Sequence, residues 1–378
     1  MPYARRREEL IWAMERSGWA AVVFGTGANL QYFSGTTTPW TREGEPEEPR
    51  EVLVITRAGD AMMITTGDTG QLEGKDISLA VATTESDVVK WLSCALSGSP
   101  GGPIGVGKSG RRYLEDLVDR AVPGSSIADA ERPGAALRVL KEPGEIDILR
   151  RSARLADETM AAVVQRIQPG LTQADLEAFI QRTGIALGAQ SVSFPPTAGF
   201  VRTGHPAPGG VFNVPRDEGL NPGSSIAFDF GFVLDGYCSD FGRSLYCGPA
   251  PKAIGSAYRA LGRAQEYLIE NIRPGVTHLC DLFGMLESHL DDVGFGHRLR
   301  ARLPDGTLGH QIGVDLHEDP WLRPESTVPV QPGMVMAIEP KLWSPGQYYL
   351  RIEDMVLVTE NGAESLTTFD RKLFEIPL

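Results

Sequence analysis

Cysteine is scarce in this chain: four in 378 residues, Cys94, Cys238, Cys247 and Cys280, with no C-x-x-C pair among them. That spacing gives no disulfide framework, and the thiols read as reduced and buried. Positive charge is short as well. Thirty-six lysines and arginines face 49 acids, a net charge of -13. A nucleic-acid binder would carry a basic face, so no nucleic-acid partner is expected, and a soluble cytoplasmic protein is. Long apolar runs are missing too, which leaves nothing to span a membrane. The opening "MPYARRREELIWAMERSG" lacks the apolar core of a secretory signal and reads instead as an amphipathic helix ending near Gly18.

What remains is ordinary globular composition, 42% hydrophobic and 22% charged. The length points to two domains. In the first third, helix and strand signals alternate. A helix at 4–17 leads to "WAAVVFG", then "EVLVITRAGDAMMIT" reads as a hairpin across Ala58-Gly59-Asp60. A helical pattern near 85–97, "IGVG" and a helix from Arg111 complete an α/β pattern. The acidic stretch 41–51 is expected to be a solvated loop. A new segment starts near Leu137, with apolar residues at helical spacing from Ile146 to Val164 after a proline. The expected domains are 1–138 and 139–378.

The second domain echoes itself. "IQPGLTQADLEAF" at 167 recurs as "IRPGVTHLCDLFGML" at 272, each after a long amphipathic helix and before strands bearing two acids. Two similar α+β halves related by a pseudo-two-fold axis account for this spacing. In the first half, "SSIAFDFGFVLDGYCSDFGRSLYCG" has Asp235-Gly236 as a tight-hairpin signal. That turn sets Asp229 opposite Gly242 and Asp240 opposite Gly231, so the two aspartates share one sheet face. In the second half, Glu339 of "MVMAIEP" and Glu353 of "YLRIEDMVLV" interrupt apolar strands, and a three-residue loop centred on Gly346 would set them opposite one another. Between the halves, "GHQIGVDLHE" places His310 and His317 on either side of an apolar strand-like run. Carboxylates on an apolar face repel unless a cation lies among them. Four of them match two divalent ions in charge, and an oxygen-rich site with one imidazole suits Mn, Co, Fe or Zn.

These residues resemble the pita-bread family of aminopeptidase P, prolidase, methionine aminopeptidase and creatinase. The match rests on Asp229 and Asp240 in "DFGFVLDGYCSDFGRS", His310 in "GHQIGVDLHE", Glu339 in "AIEP" and Glu353 in "RIED". The N-terminal third is similar to the aminopeptidase P and prolidase branch. The resemblance implies an α+β fold, a creatinase-like α/β domain followed by a pita-bread domain, working as a homodimer. It implies two divalent metal ions per chain, manganese first, with Asp240 and Glu353 bridging. It further implies Glu339 as general base, His317 as hydrogen-bond donor to the substrate, His205 as proton shuttle and Arg351 as orienter of a ligand carboxylate. His278, His289 and His297 are assigned no chemistry.

The chain departs from the family pattern at several positions. Gly242 and Ser244 stand at the threonines of the "T-R-T" that follows the second aspartate, Lys341 replaces the glycine of "E-P-G", and Gly306 stands where a histidine is frequent. None removes a ligand. "GPIGVGKS" at 102–109 also fits the phosphate-loop pattern, but the apolar residues Ile104 and Val106 lie inside the supposed loop, so no nucleotide site is expected there. The expected activity is metal-dependent hydrolysis of a peptide bond next to proline, as an Xaa-Pro aminopeptidase or dipeptidase. A pita-bread hydrolase or lyase acting on a small non-peptide metabolite is the alternative, and a catalytically silent interaction domain, which would be expected to have lost ligands, comes after it.

Overall fold

The computed structural model describes residues 2–36, 39–40, 48–67, 76–99, 101–207, 210–303 and 306–378. Most of the acidic stretch expected as a loop, 41–47, lies outside them. The chain divides into two compact units, residues 1–138 and 139–378.

The first unit is built on a six-stranded sheet. Its order is Ser78–Val81, Ala61–Thr65, Glu51–Thr56, Ala21–Gly25, Ile104–Val106, Ile127–Asp129. Ala21–Gly25 runs antiparallel to Glu51–Thr56 and parallel to Ile104–Val106, and it is buried throughout, hence its unbroken apolar sequence. The hairpin at Ala58-Gly59-Asp60 forms as read, with Gly59 at φ 101°. The phosphate-loop fragment is an inner strand. Its following amides are taken up by the protein: Gly107 N donates to the Val23 carbonyl at 3.0 Å and Lys108 N to Glu131 Oε2 at 3.2 Å. A loop whose amides are already bonded has nothing to offer a phosphate.

The second unit holds the repeat. Pro143–Arg166 and Gln173–Ala186 form one helix pair, and Lys252–Asn271 and Leu279–Asp292 the other. Pro143 sits in the first helical turn behind a capping box of Glu142 and Glu145, and Leu149, Ala153, Ala156, Met160 and Val163 bury one stripe. Each "PG" forms the turn that follows its long helix, with a glycine at positive φ, 90° at Gly170 and 73° at Gly275. The second copy carries one extra residue, so His278 caps its second helix with Asp281, where Thr172 pairs with Asp175 in the first.

Each half has its own sheet and its own core. The four-stranded sheet runs Phe374–Ile376, Phe241–Cys247, Ser224–Phe230, Thr197–Arg202; the five-stranded one runs Glu318–Leu322, Gly309–Gln311, Val335–Ile338, Asp354–Thr359, Gly362–Ser365. Phe200, Phe228, Phe230 and Met160 pack in the first core; Leu261, Leu268, Leu286, Met336 and Val356 pack in the second. Cys238 and Cys247 are buried, but Cys94 is exposed, so the expectation of buried thiols holds for only part of the set. No helix among the described residues is long and apolar enough to cross a membrane.

A buried polar clamp ties the halves. Arg243 Nη1 donates to the Glu353 carbonyl at 2.7 Å and Nη2 to Asp354 Oδ1 at 2.6 Å, while Arg371 Nε, Gln265 Nε2 and the Thr367 hydroxyl also donate to Asp354. Burial opposes the Asp354 charge, yet Arg243 and Arg371 more than offset it and hold the carboxyl below the usual carboxylate range. A depressed folded pKa means stability present above the unfolded value and lost as pH falls through the folded one. Asp354→Asn should therefore cost about 3 kcal/mol near neutral pH, because it leaves Arg243 unpaired. The gap between the two proteins, read from urea midpoints, should narrow below about pH 4.

Candidate metal centre

Backbone register brings the acids together. The Asp235-Gly236 turn has φ 47° and 81°, the pair of positive values a two-residue hairpin needs. It fixes Leu234 opposite Tyr237 and, further along, Asp229 opposite Gly242. In the second half, Ile338 pairs with Asp354 and Lys341 with Arg351, one register on both sides of the gap. Glu339 and Glu353 fall in that gap facing each other, as a loop centred on Gly346 requires. The halves join where Glu353 N donates to the Gly242 carbonyl at 2.9 Å.

Asp240, His310 and Glu353 are all buried, and one potential ligand atom from each lies within 4.8 Å of the others. Asp240 Oδ1 and Glu353 Oε1 are buried with no hydrogen-bond partner. Such orphaned acceptors are costly unless something positive reaches them. His310 Nδ1 stands 2.9 Å from the Gln311 carbonyl, which can only accept. Nδ1 therefore carries a proton, which leaves Nε2, 3.4 Å from Asp240 Oδ2, as the ring atom that a metal ion can take in place of a proton. Burial, then the charges of Asp240 and Glu339, push the Glu353 carboxyl well above its ordinary range. Burial disfavours the His310 imidazolium, but Asp240 and Glu339 reverse this and raise its pKa. Two hard oxygens and an imidazole nitrogen, in a pocket that rewards added positive charge, fit a divalent metal ion.

Asp229 and Glu339 stand beside this trio with their carboxylates engaged by cations. Arg351 Nη1 contacts Asp229 Oδ2 and lies 3.3 Å from Glu353 Oε2. Lys341 Nζ contacts Glu339 Oε2. Burial alone would lower the Lys341 pKa; Glu339, with Tyr349 and Glu353 behind it, raises it instead.

The two histidines do not flank a strand. Only Gly309–Gln311 is extended; the chain then turns, so that the His310 and His317 rings meet edge to face at 4.5 Å. His317 stacks on Trp321 at 5.3 Å and reaches solvent; partial burial and then His310 lower its pKa, keeping the ring neutral. His205 sits in an exposed turn whose carbonyl accepts from Asn213 Nδ2, and it is not among the side chains gathered here. His278 caps a helix, and His289 stacks on Tyr267.

Sequence reasoning did not find Trp321, which lies four residues beyond His317 and bears no charge pattern. It also gave Lys341 and Gly242 no structural role. A Cβ on Gly242 would come within 2.4 Å of Arg351 Cδ and 2.9 Å of Glu353 Oε2. The missing side chain is what lets Arg351 lie across both acids.

Two α–β halves closing on a buried cluster of acids and histidine define a metal-centred hydrolase of pita-bread architecture. The family model described as metallopeptidase family M24 matches residues 147–360, and the chain belongs to that family. It is similar to a probable dipeptidase PepE of Mycobacterium tuberculosis, 29% identical over 384 residues that cover 100% of this chain and 97% of the relative. Among solved structures, dipeptidase PepE from Mycobacterium ulcerans superposes with a TM-score of 0.79 at 27% identity, covering 100% of this chain and 98% of that one. Xaa-Pro dipeptidase from Bacillus anthracis shares the fold, with a TM-score of 0.83 at 22% identity over 99% of this chain and 100% of that one.

The contact at Gly242 generates a double-mutant test. Gly242→Ala should cost about 1–3 kcal/mol by overpacking. In an Arg351→Ala background most of that cost should vanish, since the atom it strikes is gone. Additive urea-midpoint shifts would show that Arg351 does not depend on the glycine.

Proposed function

We propose that this metallopeptidase hydrolyses the peptide bond next to proline, as an Xaa-Pro dipeptidase or aminopeptidase, with Asp229, Asp240, His310, Glu339 and Glu353 holding its divalent ions. The observation that carries the reading is the pair of orphaned buried oxygens on Asp240 and Glu353 beside His310 Nε2. The names of the relatives above support the peptide class. When bound, the ions supply Lewis acidity, lowering the pKa of water and polarising the scissile carbonyl.

The chain's own groups do the rest. Glu339, at the mouth of the acid cluster, accepts the proton released by the attacking water. His317, neutral and stacked on Trp321, donates its N–H to the substrate oxygen that gains charge. Arg351 fixes the rotamers of Asp229 and Glu353 by contacting both. His205 enters as a proton shuttle only through the resemblance, as do a manganese preference, a second ion, a homodimer and a cytoplasmic location.

The test combines removal of metal with turnover. Dialysis against a chelator should abolish cleavage of Xaa-Pro dipeptides and tripeptides, and added Mn should restore it. Glu339→Gln should lower kcat about 10²–10⁴-fold, and Asp240→Ala should lose both metal and activity. Retained metal without cleavage of any proline-adjacent bond would refute the peptide specificity and move the assignment to a small-molecule amide.

A further inference from the structure

Counting the acids alone matches them to two divalent ions, but the folded site contains two further charges. Asp229 is matched by Arg351 and Glu339 by Lys341. His310 binds a metal as the neutral imidazole, its Nδ1–H held by the Gln311 carbonyl, and so adds no charge to the metal-bound site. Four carboxylates, one ammonium and one guanidinium leave two negative charges, the charge of one divalent ion. The unmatched oxygens fall on Asp240 and Glu353, the two acids that cluster with His310. A second divalent ion would leave this buried site with an excess of two positive charges before any anion joined it. Low-dielectric surroundings penalise such an excess.

We propose that Lys341 makes this centre a one-ion site in ordinary conditions: a single divalent ion held by Asp240, His310 and Glu353, with the second position weak and exchangeable. The inference rests on the metal-centre reading above and refines the occupancy it implies. Lys341 acts as a fixed positive charge on Glu339, in the place of part of the second ion's charge. It lies close to the acids, with 15% of its side chain accessible, so solvent does little to screen it.

Metal content decides the matter without reference to activity. The full-length protein is loaded with excess Mn, desalted into metal-free buffer, and measured for Mn per chain and for its electron paramagnetic resonance spectrum. The unaltered chain should keep one ion and give the six-line signal of isolated Mn(II). Lys341→Met, which keeps the stem and removes the charge, should bind the second ion at least about tenfold more tightly and show a spin-coupled spectrum. Lys341→Arg should stay at one ion. If Lys341→Met fails to fold by circular dichroism, Lys341→Gln replaces it.

Two tightly held ions in the unaltered chain would overturn the proposal. So would an identical second-site affinity in the charged and uncharged variants. No retained ion in any of the proteins would overturn the metal-centre reading along with it, a result distinct from a wrong occupancy.

Discussion

Everything at the centre depends on one backbone junction. Gly242 and Glu353 exchange hydrogen bonds between the halves, and this places Glu353 beside Asp240 whatever their charges prefer. Two ionised carboxylates with ligand atoms within 4.8 Å repel by about 3.5 kcal/mol at an effective dielectric of 20. Whole domains are stable by only about 5–15 kcal/mol. A fold that accepts such a term must offset it, and the Arg243 clamp on the Glu353 carbonyl and Asp354, together with Arg351 beside Glu353 Oε2, is part of the offset present in the chain itself. The remainder falls to a proton on Glu353, whose pKa is pushed well above the usual carboxylate range, or to a cation that takes that proton's place.

Side-chain cations then divide the acids into two kinds. Asp229 and Glu339, at the edges, are each in contact with a lysine or arginine; Asp240 and Glu353, at the middle, each keep one buried oxygen without a partner, although Arg351 also reaches the other oxygen of Glu353. Glu339 is held at one oxygen by Lys341 and Asp229 at one by Arg351, while the central pair depends on a further positive charge for compensation.

How legible was this in the sequence? The hairpin at Asp235-Gly236 was readable because Asp-Gly suits the two positive φ values of a type I′ turn, and that turn dictated the Asp229–Gly242 register. The Glu339–Glu353 opposition was readable through the three-residue loop at Gly346, whose positive φ suits a glycine. The repeated "PG" exposed the two halves, since each glycine at positive φ turns the chain from a long helix into the next one. What could not be read was tertiary. The run after His310 has strand-like composition, yet it bends, because apolar burial there is supplied by packing rather than by a ladder. Trp321 meets His317 only through that bend. The phosphate-loop pattern shows the converse error: spacing matched, but Ile104 and Val106 needed a sheet more than a loop.

Two of the departures from the family pattern, Gly242 and Lys341, share a physical consequence. A threonine at 242 would fill the space that Arg351 Cδ and Cγ occupy, so the glycine admits a guanidinium between Asp229 and Glu353. A glycine at 341 would leave Glu339 without its ammonium. Each change therefore draws a cation deeper among the acids without touching a single ligand. Motif matching sees intact ligands and predicts unchanged chemistry; electrostatics sees the charge of the pocket moved by one unit and its geometry altered at Arg351. A metal centre binds through total charge as well as donor atoms, so the residues beside a donor set bear on it as well as the donors themselves.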